Sequence, residues 1–166
     1  MTEPSSPRRV APVLRPARTA DAPFLAELAD EAFGVYGDYV PMVSAWAADP
    51  NVETTVALYE DAPAGAAFLA FLKPGEAPHT PVGDLLGLAV APAFRGRGLG
   101  GALLAHVIAR ARAVSRRHHV PWLRLAVAEG NTAARHLFEG AGFVYYEAEG
   151  SYPRGQIALH MRLRLP

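Results

Sequence analysis

The chain has 166 residues, 51% of them hydrophobic, enough for one sizeable core and one domain. Its 16 basic and 16 acidic side chains cancel, so no global field favours nucleic acid or an anionic membrane. The absence of cysteine excludes disulfides, thiolate nucleophiles and cysteine-bound metals.

The opening MTEPSSPRRVAP carries two arginines but no apolar signal core, and no apolar run is long enough to span a membrane, so a cytoplasmic protein is expected. Only Lys73 among the basic residues is lysine, which, with the abundance of Ala, Gly and Pro, suggests a GC-rich bacterial coding sequence. Residues 1–11, rich in Ser and Pro, read as a flexible tail ahead of a single domain over 12–166. VLRPA (13–17) is a short first strand closed by proline. TADAPFLAELADEAFG predicts a helix capped by Thr19 or Asp21, with Pro23 in its first turn and Phe24, Leu25, Leu28 and Phe33 at helical spacing. Gly34 and Gly37 break it, and DYVPMVSAWAADP predicts a second short helix stopped by Asp49 and Pro50. TTVALYE (54–60) and GAAFLAFLK (65–73), separated by DAPA, predict an antiparallel hairpin.

After the proline-rich PGEAPHTPVG comes the strand DLLGLAV (84–90), then a helix from about Gly98 to Val114 with Leu99, Leu103, Val107, Ala111 and Val114 on one face. Arg110, Arg112, Arg116 and Arg117 gather towards its end, where they complement the helix dipole. WLRLAVA (122–128) is the next strand. Asn131 caps a helix in NTAARHLFEGAG whose apolar face is Ala134, Leu137, Phe138 and Ala141, and Gly142 is its left-handed terminator. FVYYEAE and QIALHMRLRL close the chain as two strands around GSYPRG. Only residues 84–128 form a strand-helix-strand unit suited to parallel pairing.

The turn entering the third helix has two readings. Gly96, Gly98 and Gly101 spell the dinucleotide fingerprint G-x-G-x-x-G. That fold needs its first glycine directly after the strand and an acidic residue about 20 positions later. Here Pro92 to Arg95 intervene, and the downstream stretch is Arg116, Arg117, His118, His119. The same residues also spell R-x-x-G-x-G from Arg95 through Gly98 to Gly100. A strand feeding such a turn at a helix N-terminus aims unpaired N–H groups and the positive dipole end at a pyrophosphate.

LAVAPAFRGRGLGGALL followed by LRLAVAEGNTAARHLFEGAGF resembles the GCN5-related N-acetyltransferases, and the element order agrees over about residues 13–165. The resemblance implies an α/β (α+β) fold. Its mostly antiparallel sheet of six to seven strands carries one splayed parallel pair and about four flanking helices. It implies acetyl-CoA as donor, with the pyrophosphate on Arg95, Gly96, Arg97, Gly98, Leu99, Gly100 and Gly101 and the thioester beside Leu88, Ala89 and Val90. Pantetheine contacts fall to Asn131, Ala134 and Phe138.

By the same resemblance Asp84, at the start of its strand, is the candidate base that frees the amine of its proton; Glu31, Asp38, His79 and Glu129 are alternatives. The family's tyrosine acid is replaced here by Phe138. A donor must therefore come from Tyr36, Tyr39, Tyr145 or Tyr152, with Tyr152 the one carried forward, unless the thiolate leaves unaided. Tyr36, Tyr39 and His79 are expected against the acceptor, with Trp46 and Tyr152 completing an aromatic wall. His106, His136 and His160 lack metal-ligand spacing, so no metal is expected. The expectation is direct acetyl transfer to a primary amine on a small or amino-acid-like molecule. A CoA-binding sensor of the same fold and a protein acetyltransferase are the alternatives. No nucleic-acid or membrane partner is expected, and a homodimer is expected only by analogy of fold.

Overall fold

The computed structural model describes residues 10–72 and 80–166. Most of the expected tail, and His79 with the loop before it, lie outside the described residues. In chain order the elements are β1 (Val13–Pro16), a 3₁₀ turn (Thr19–Asp21), α1 (Ala22–Phe33), α2 (Val40–Ala48), β2 (Val52–Tyr59), β3 (Ala62–Leu72), β4 (Val82–Val90), α3 (Leu99–His118), β5 (Trp122–Ala128), α4 (Thr132–Gly140), β6 (Val144–Ser151) and β7 (Ile157–Arg164). One seven-stranded sheet runs β1-β2-β3-β4-β5-β7-β6. Every pairing is antiparallel except β4 with β5. A doubly wound parallel sheet, and with it the dinucleotide reading, is excluded.

The two halves of the sheet are built from different sequence patterns. Ala64, Ala66, Ala67, Phe68, Leu69 and Ala70 of β3 are all buried, because helices cover both faces. Val56, Ala66, Phe68 and Ala89 pack with Leu25, Leu28 and Val43 of α1 and α2. Ala57, Ala67 and Leu69 pack with Leu99, Leu103 and Val107 of α3. In β5 and β7 the pattern alternates instead. Leu123, Leu125, Met161 and Leu163 are buried in the α3 core, while Trp122, Arg124, His160 and Arg162 remain half-buried on the opposite face.

Four local expectations are corrected. The hairpin turn is only Glu60 and Asp61, flanked by the Tyr59–Ala62 pair, and both residues have positive φ (48° and 65°), as a tight two-residue turn requires. Asp21 gives α1 no side-chain cap; its carboxylate instead takes the Arg18 N–H and the Arg15 guanidinium. β4 begins at Val82, so Asp84 lies inside the strand. α3 runs past Val114 to His118, tied down by the buried Ser115 hydroxyl, which lies 2.7 Å from both the Val120 and the Pro166 carbonyl oxygens.

Candidate functional site

β4 and β5 pair only at Gly83–Leu123, Asp84–Arg124 and Leu85–Leu125. Beyond that, β4 continues to Val90 and β5 to Ala128 without meeting. The register between β3 and β4 shifts where Phe68 opposes Gly87 and Leu69 opposes Leu85, leaving Leu86 unopposed. Such a bulge bends its strand and releases backbone groups from the ladder. A cavity of about 450 Å³ fills the resulting gap. Its floor is Asp84–Leu88 of β4 and Arg124–Ala128 of β5; Asn131, Ala134 and Phe138 of α4 form one wall. Phe33, Tyr36, Tyr39 and Trp46 from α1, α2 and their connection form the other.

The glycine turn stands at the far end of β4. Gly96 and Gly98 have φ of +76° and +81°, a region that side chains disfavour, and Gly98 is the N-cap of α3. The Ala102 N–H is the first to close the helix, donating to the Gly98 carbonyl at 3.1 Å. The N–H groups of Leu99, Gly100 and Gly101 are therefore left at the helix end without an intrahelical acceptor, which suits an anion. Arg95 and Arg97 are exposed on the turn. Arg95 Nε donates to the Val90 carbonyl at 3.2 Å, and the Arg97 guanidinium lies 4.7 Å from the Tyr59 ring centre.

Inside the cavity the chemistry converges on one carboxylate. Arg124 Nη2 donates to Asp84 Oδ2 at 3.1 Å. Burial nonetheless pushes the Asp84 carboxyl up from its ordinary value, against the opposing charge and hydrogen bond of Arg124 and the weaker influence of His160. Tyr152 reaches the cavity from the β6–β7 turn and packs against Tyr36, ring centres 4.9 Å apart and planes tilted by 33°. Burial, then its neighbours Tyr39 and Tyr36, pushes its phenol up to about 12, and burial raises Tyr39 too. Both hydroxyls thus keep their protons at neutral pH. Phe138 is buried against Phe143, ring centres 5.9 Å apart, and carries no proton to give. Asn131 Oδ1 accepts the Ala134 N–H at 3.2 Å, the expected cap.

Asp84, Leu88, Asn131, Ala134, Phe138, Tyr36, Tyr39 and Tyr152 therefore share one cavity. Other expected cofactor residues stand apart from it. Leu99 is 1% exposed in the core and offers only its backbone. Ala89 is buried on the α1 and α2 side. Gly101 borders a shallow groove between α3 and α4. Val90 and the Arg95–Gly100 turn lie outside the cavity lining, as do the alternative bases Glu31, Asp38 and Glu129. Arg124 and Tyr146, which the sequence reading did not single out, line it, as does His160, which that reading set aside only as a metal ligand; R and H alternating with Leu in WLRLAV and ALHMRL mark this polar sheet face. Among the described residues no three His, Asp or Glu side chains converge as a metal site.

The acetyltransferase (GNAT) family profile matches residues 20–143. The chain belongs to the GNAT acetyltransferase family, and its splayed β4–β5 pair and glycine turn are the parts of the fold that the family resemblance assigns to acetyl-CoA. Comparison with curated proteins gives no match. Solved structures share the fold at low identity. The ribosomal-protein-S18-alanine N-acetyltransferase from Escherichia coli is 21% identical with a TM-score of 0.75, over 93% of this chain and 94% of that one. NAA60 of Arabidopsis thaliana, in complex with a bisubstrate analogue, is 14% identical with a TM-score of 0.79, over 94% and 100%. yncA from Salmonella typhimurium, with its cofactor acetyl-CoA, is 21% identical with a TM-score of 0.73, over 95% of each chain.

Proposed function

We propose that the protein is a cytoplasmic acetyl-CoA-dependent N-acetyltransferase that moves an acetyl group directly to a primary amine on a small-molecule or amino-acid-like acceptor. The observation that carries this reading is the end of β4–β5 pairing at Leu85 and Leu125, which opens the cavity between exposed strand edges at the base of the glycine turn. An extended pantetheine arm can bond such edges as an added strand does. Acetyl-CoA supplies the activated acyl group. The N–H groups at the start of α3 hold its pyrophosphate, with Arg95 and Arg97 free to swing from Val90 and Tyr59 and add charge-assisted bonds.

An alkyl ammonium has a pKa near 10, so about one molecule in a thousand is neutral at pH 7. Asp84 accepts the amine's proton: Arg124 engages only Oδ2, and the raised carboxyl pKa strengthens the base. As the C–N bond forms and the C–S bond breaks, Tyr152 gives its proton to the departing sulfur. The phenol, pushed up to about 12, stays protonated throughout the neutral range and is a weaker acid than an ordinary tyrosine, so its donation depends on contact with the developing thiolate and not on its pKa. The aromatic wall of Tyr36, Tyr39 and Trp46 holds the apolar part of the acceptor.

Phe138 supports a second reading, a CoA-binding sensor with little turnover. The two separate in one experiment. Acetyl-CoA at about 100 times its Kd is expected to stabilise the protein by about 2.7 kcal/mol, whereas NADH does not. Only the enzyme then releases CoA when amines are added. Phe138→Tyr is expected to keep acetyl-CoA binding and to raise turnover by supplying an acid beside the sulfur. Loss of binding in that variant would contradict the place given to Phe138.

A further inference from the structure

Two loops far apart in the chain are fastened together at the edge of the cavity. The β6–β7 turn is closed on itself: the Gly155 N–H donates to the Tyr152 carbonyl at 2.8 Å, and the Tyr152 N–H to the Gln156 carbonyl at 2.9 Å. Pro153 follows Tyr152 and Gly155 has φ of +91°, the chemistry of a short, stiff hairpin loop. Three contacts tie this turn to the α1–α2 connection. The Arg154 N–H donates to the Tyr36 carbonyl at 3.1 Å, and Gln156 Nε2 donates to the Val35 carbonyl at 2.7 Å. A Cβ on Gly37 would stand 3.1 Å from the Pro153 ring, so the two backbones meet without room for a side chain. Beside this seam the Tyr36 and Tyr152 rings pack together, and both line the cavity. Among the described residues Gln156 is the only side chain that hydrogen-bonds across the seam. Its Oε1 is buried without a partner, so desolvation of that oxygen offsets much of what the bond to Val35 contributes to stability. The effect of Gln156 should therefore appear in the placement of what it holds.

Resting on the function proposed above, we propose that Gln156 is a positioning residue for the acid: by fastening the β6–β7 turn to Val35 it holds the Tyr152 hydroxyl in reach of the departing sulfur. A proton passes only between atoms within hydrogen-bond distance, so a phenol that must meet the developing thiolate depends on where it is held. A turn released from the α1–α2 connection spreads that hydroxyl over more positions, and fewer of them are productive. Gln156 itself touches neither acceptor nor thioester in this role; it acts through Tyr152.

The test is a double-mutant cycle in the full chain, read as CoA release from acetyl-CoA with the fastest acceptor among apolar L-amino acids and primary alkyl and arylalkyl amines. Gln156→Met keeps the length of the side chain and removes its N–H. It is expected to lower kcat about 3- to 10-fold, the worth of one hydrogen bond, with KM for acetyl-CoA unchanged. Amide hydrogen exchange at Arg154 should quicken while the urea midpoint hardly moves. Gln156→Lys, which returns an N–H donor, is expected to recover part of the loss. Tyr152→Phe alone should lower kcat about 10²- to 10⁴-fold, and adding Gln156→Met to it should cost nothing more, because no proton is left to place. Equal losses from Gln156→Met in the two backgrounds, an unchanged kcat, or unchanged exchange at Arg154 overturns the positioning role and leaves Tyr152 as the acid. Full turnover by Tyr152→Phe overturns the acid and the positioning role together and leaves acetyl transfer standing. No CoA release with any acceptor overturns all three.

Discussion

Among the described residues two pairs of arginine with aspartate are largely shielded from water, and they are tuned in opposite directions. Asp21, beside β1, accepts two bonds from the Arg15 guanidinium at 2.7 and 2.9 Å and one from the Arg18 N–H at 2.7 Å. The Arg15 hydrogen bond above all holds its carboxyl below the ordinary value, with burial opposing. Asp84, in the cavity, has one bond from Arg124 at 3.1 Å, and there burial prevails and raises the carboxyl. Burial disfavours charge in both; the number and length of the hydrogen bonds decide which side wins. A carboxylate with its oxygens fully engaged fastens the chain. One with a free oxygen and a raised pKa can take a proton, and only the second lies where β4 and β5 part.

Breaking the Asp84 pair is expected to have the largest effect. Asp84→Asn keeps the shape and removes the base, so kcat should fall about 10²- to 10⁴-fold while acetyl-CoA still stabilises the protein. In the wild type the acid limb of kcat against pH should lie above the ordinary aspartate range, because the Asp84 pKa is raised, and this limb should vanish in the variant. An unchanged kcat would remove Asp84 from the chemistry.

Breaking the Asp21 pair should reverse the pattern. Asp21→Asn is expected to leave kcat unaltered and cost about 1.5–3 kcal/mol of stability at pH 7, the value of hydrogen bonds to a charged group. The sign of the pH dependence follows from the lowered pKa. The contribution of Asp21 is complete above the unfolded value of about 3.9 and is lost as pH falls through the lower folded value. The wild type and Asp21→Asn should therefore differ in urea midpoint at pH 7 and converge at acid pH.

The contrast between these pairs also marks what the sequence could reveal. The glycine turn, the Asn131 cap and the Gly142 terminator (φ +95°) were legible because each is written within a few residues. So was the parallel unit, since a strand, helix and strand announce themselves by period. Asp21 carried the signature of a helix cap, but the side chain of Arg15, six positions back, outcompeted the helix for its oxygens. The Glu60–Asp61 turn lacks the Asn-Gly or Asp-Gly pattern that usually announces positive φ. Arg124 and Arg162 come together only through the β5–β7 register, 38 positions apart. Alternation assigns each to a polar face; no local pattern says that the two faces meet. Leu99 carried the opposite trap, a residue of the phosphate-turn motif whose side chain serves the core.

A third pair sharpens the comparison by removing burial from it. Arg110 on α3 reaches Glu53 on β2 through Nε at 2.9 Å and Nη2 at 2.6 Å, a fork-to-fork geometry as good as that of Arg15 with Asp21. Its side chains are 44% and 41% exposed, so water and salt compete for both ions. The Arg110 hydrogen bond still lowers the Glu53 carboxyl, yet exposed pairs contribute only about 0.2–1 kcal/mol. Glu53→Gln is therefore expected to lower the urea midpoint slightly in dilute buffer and hardly at all in 1 M salt, where the screening length falls to about 3 Å. Asp21→Asn should keep most of its cost in the same salt. If the two variants lost equal stability and responded equally to salt, hydrogen-bond geometry alone would govern these pairs. The argument that burial sets the pKa of Asp84 would then lose its support.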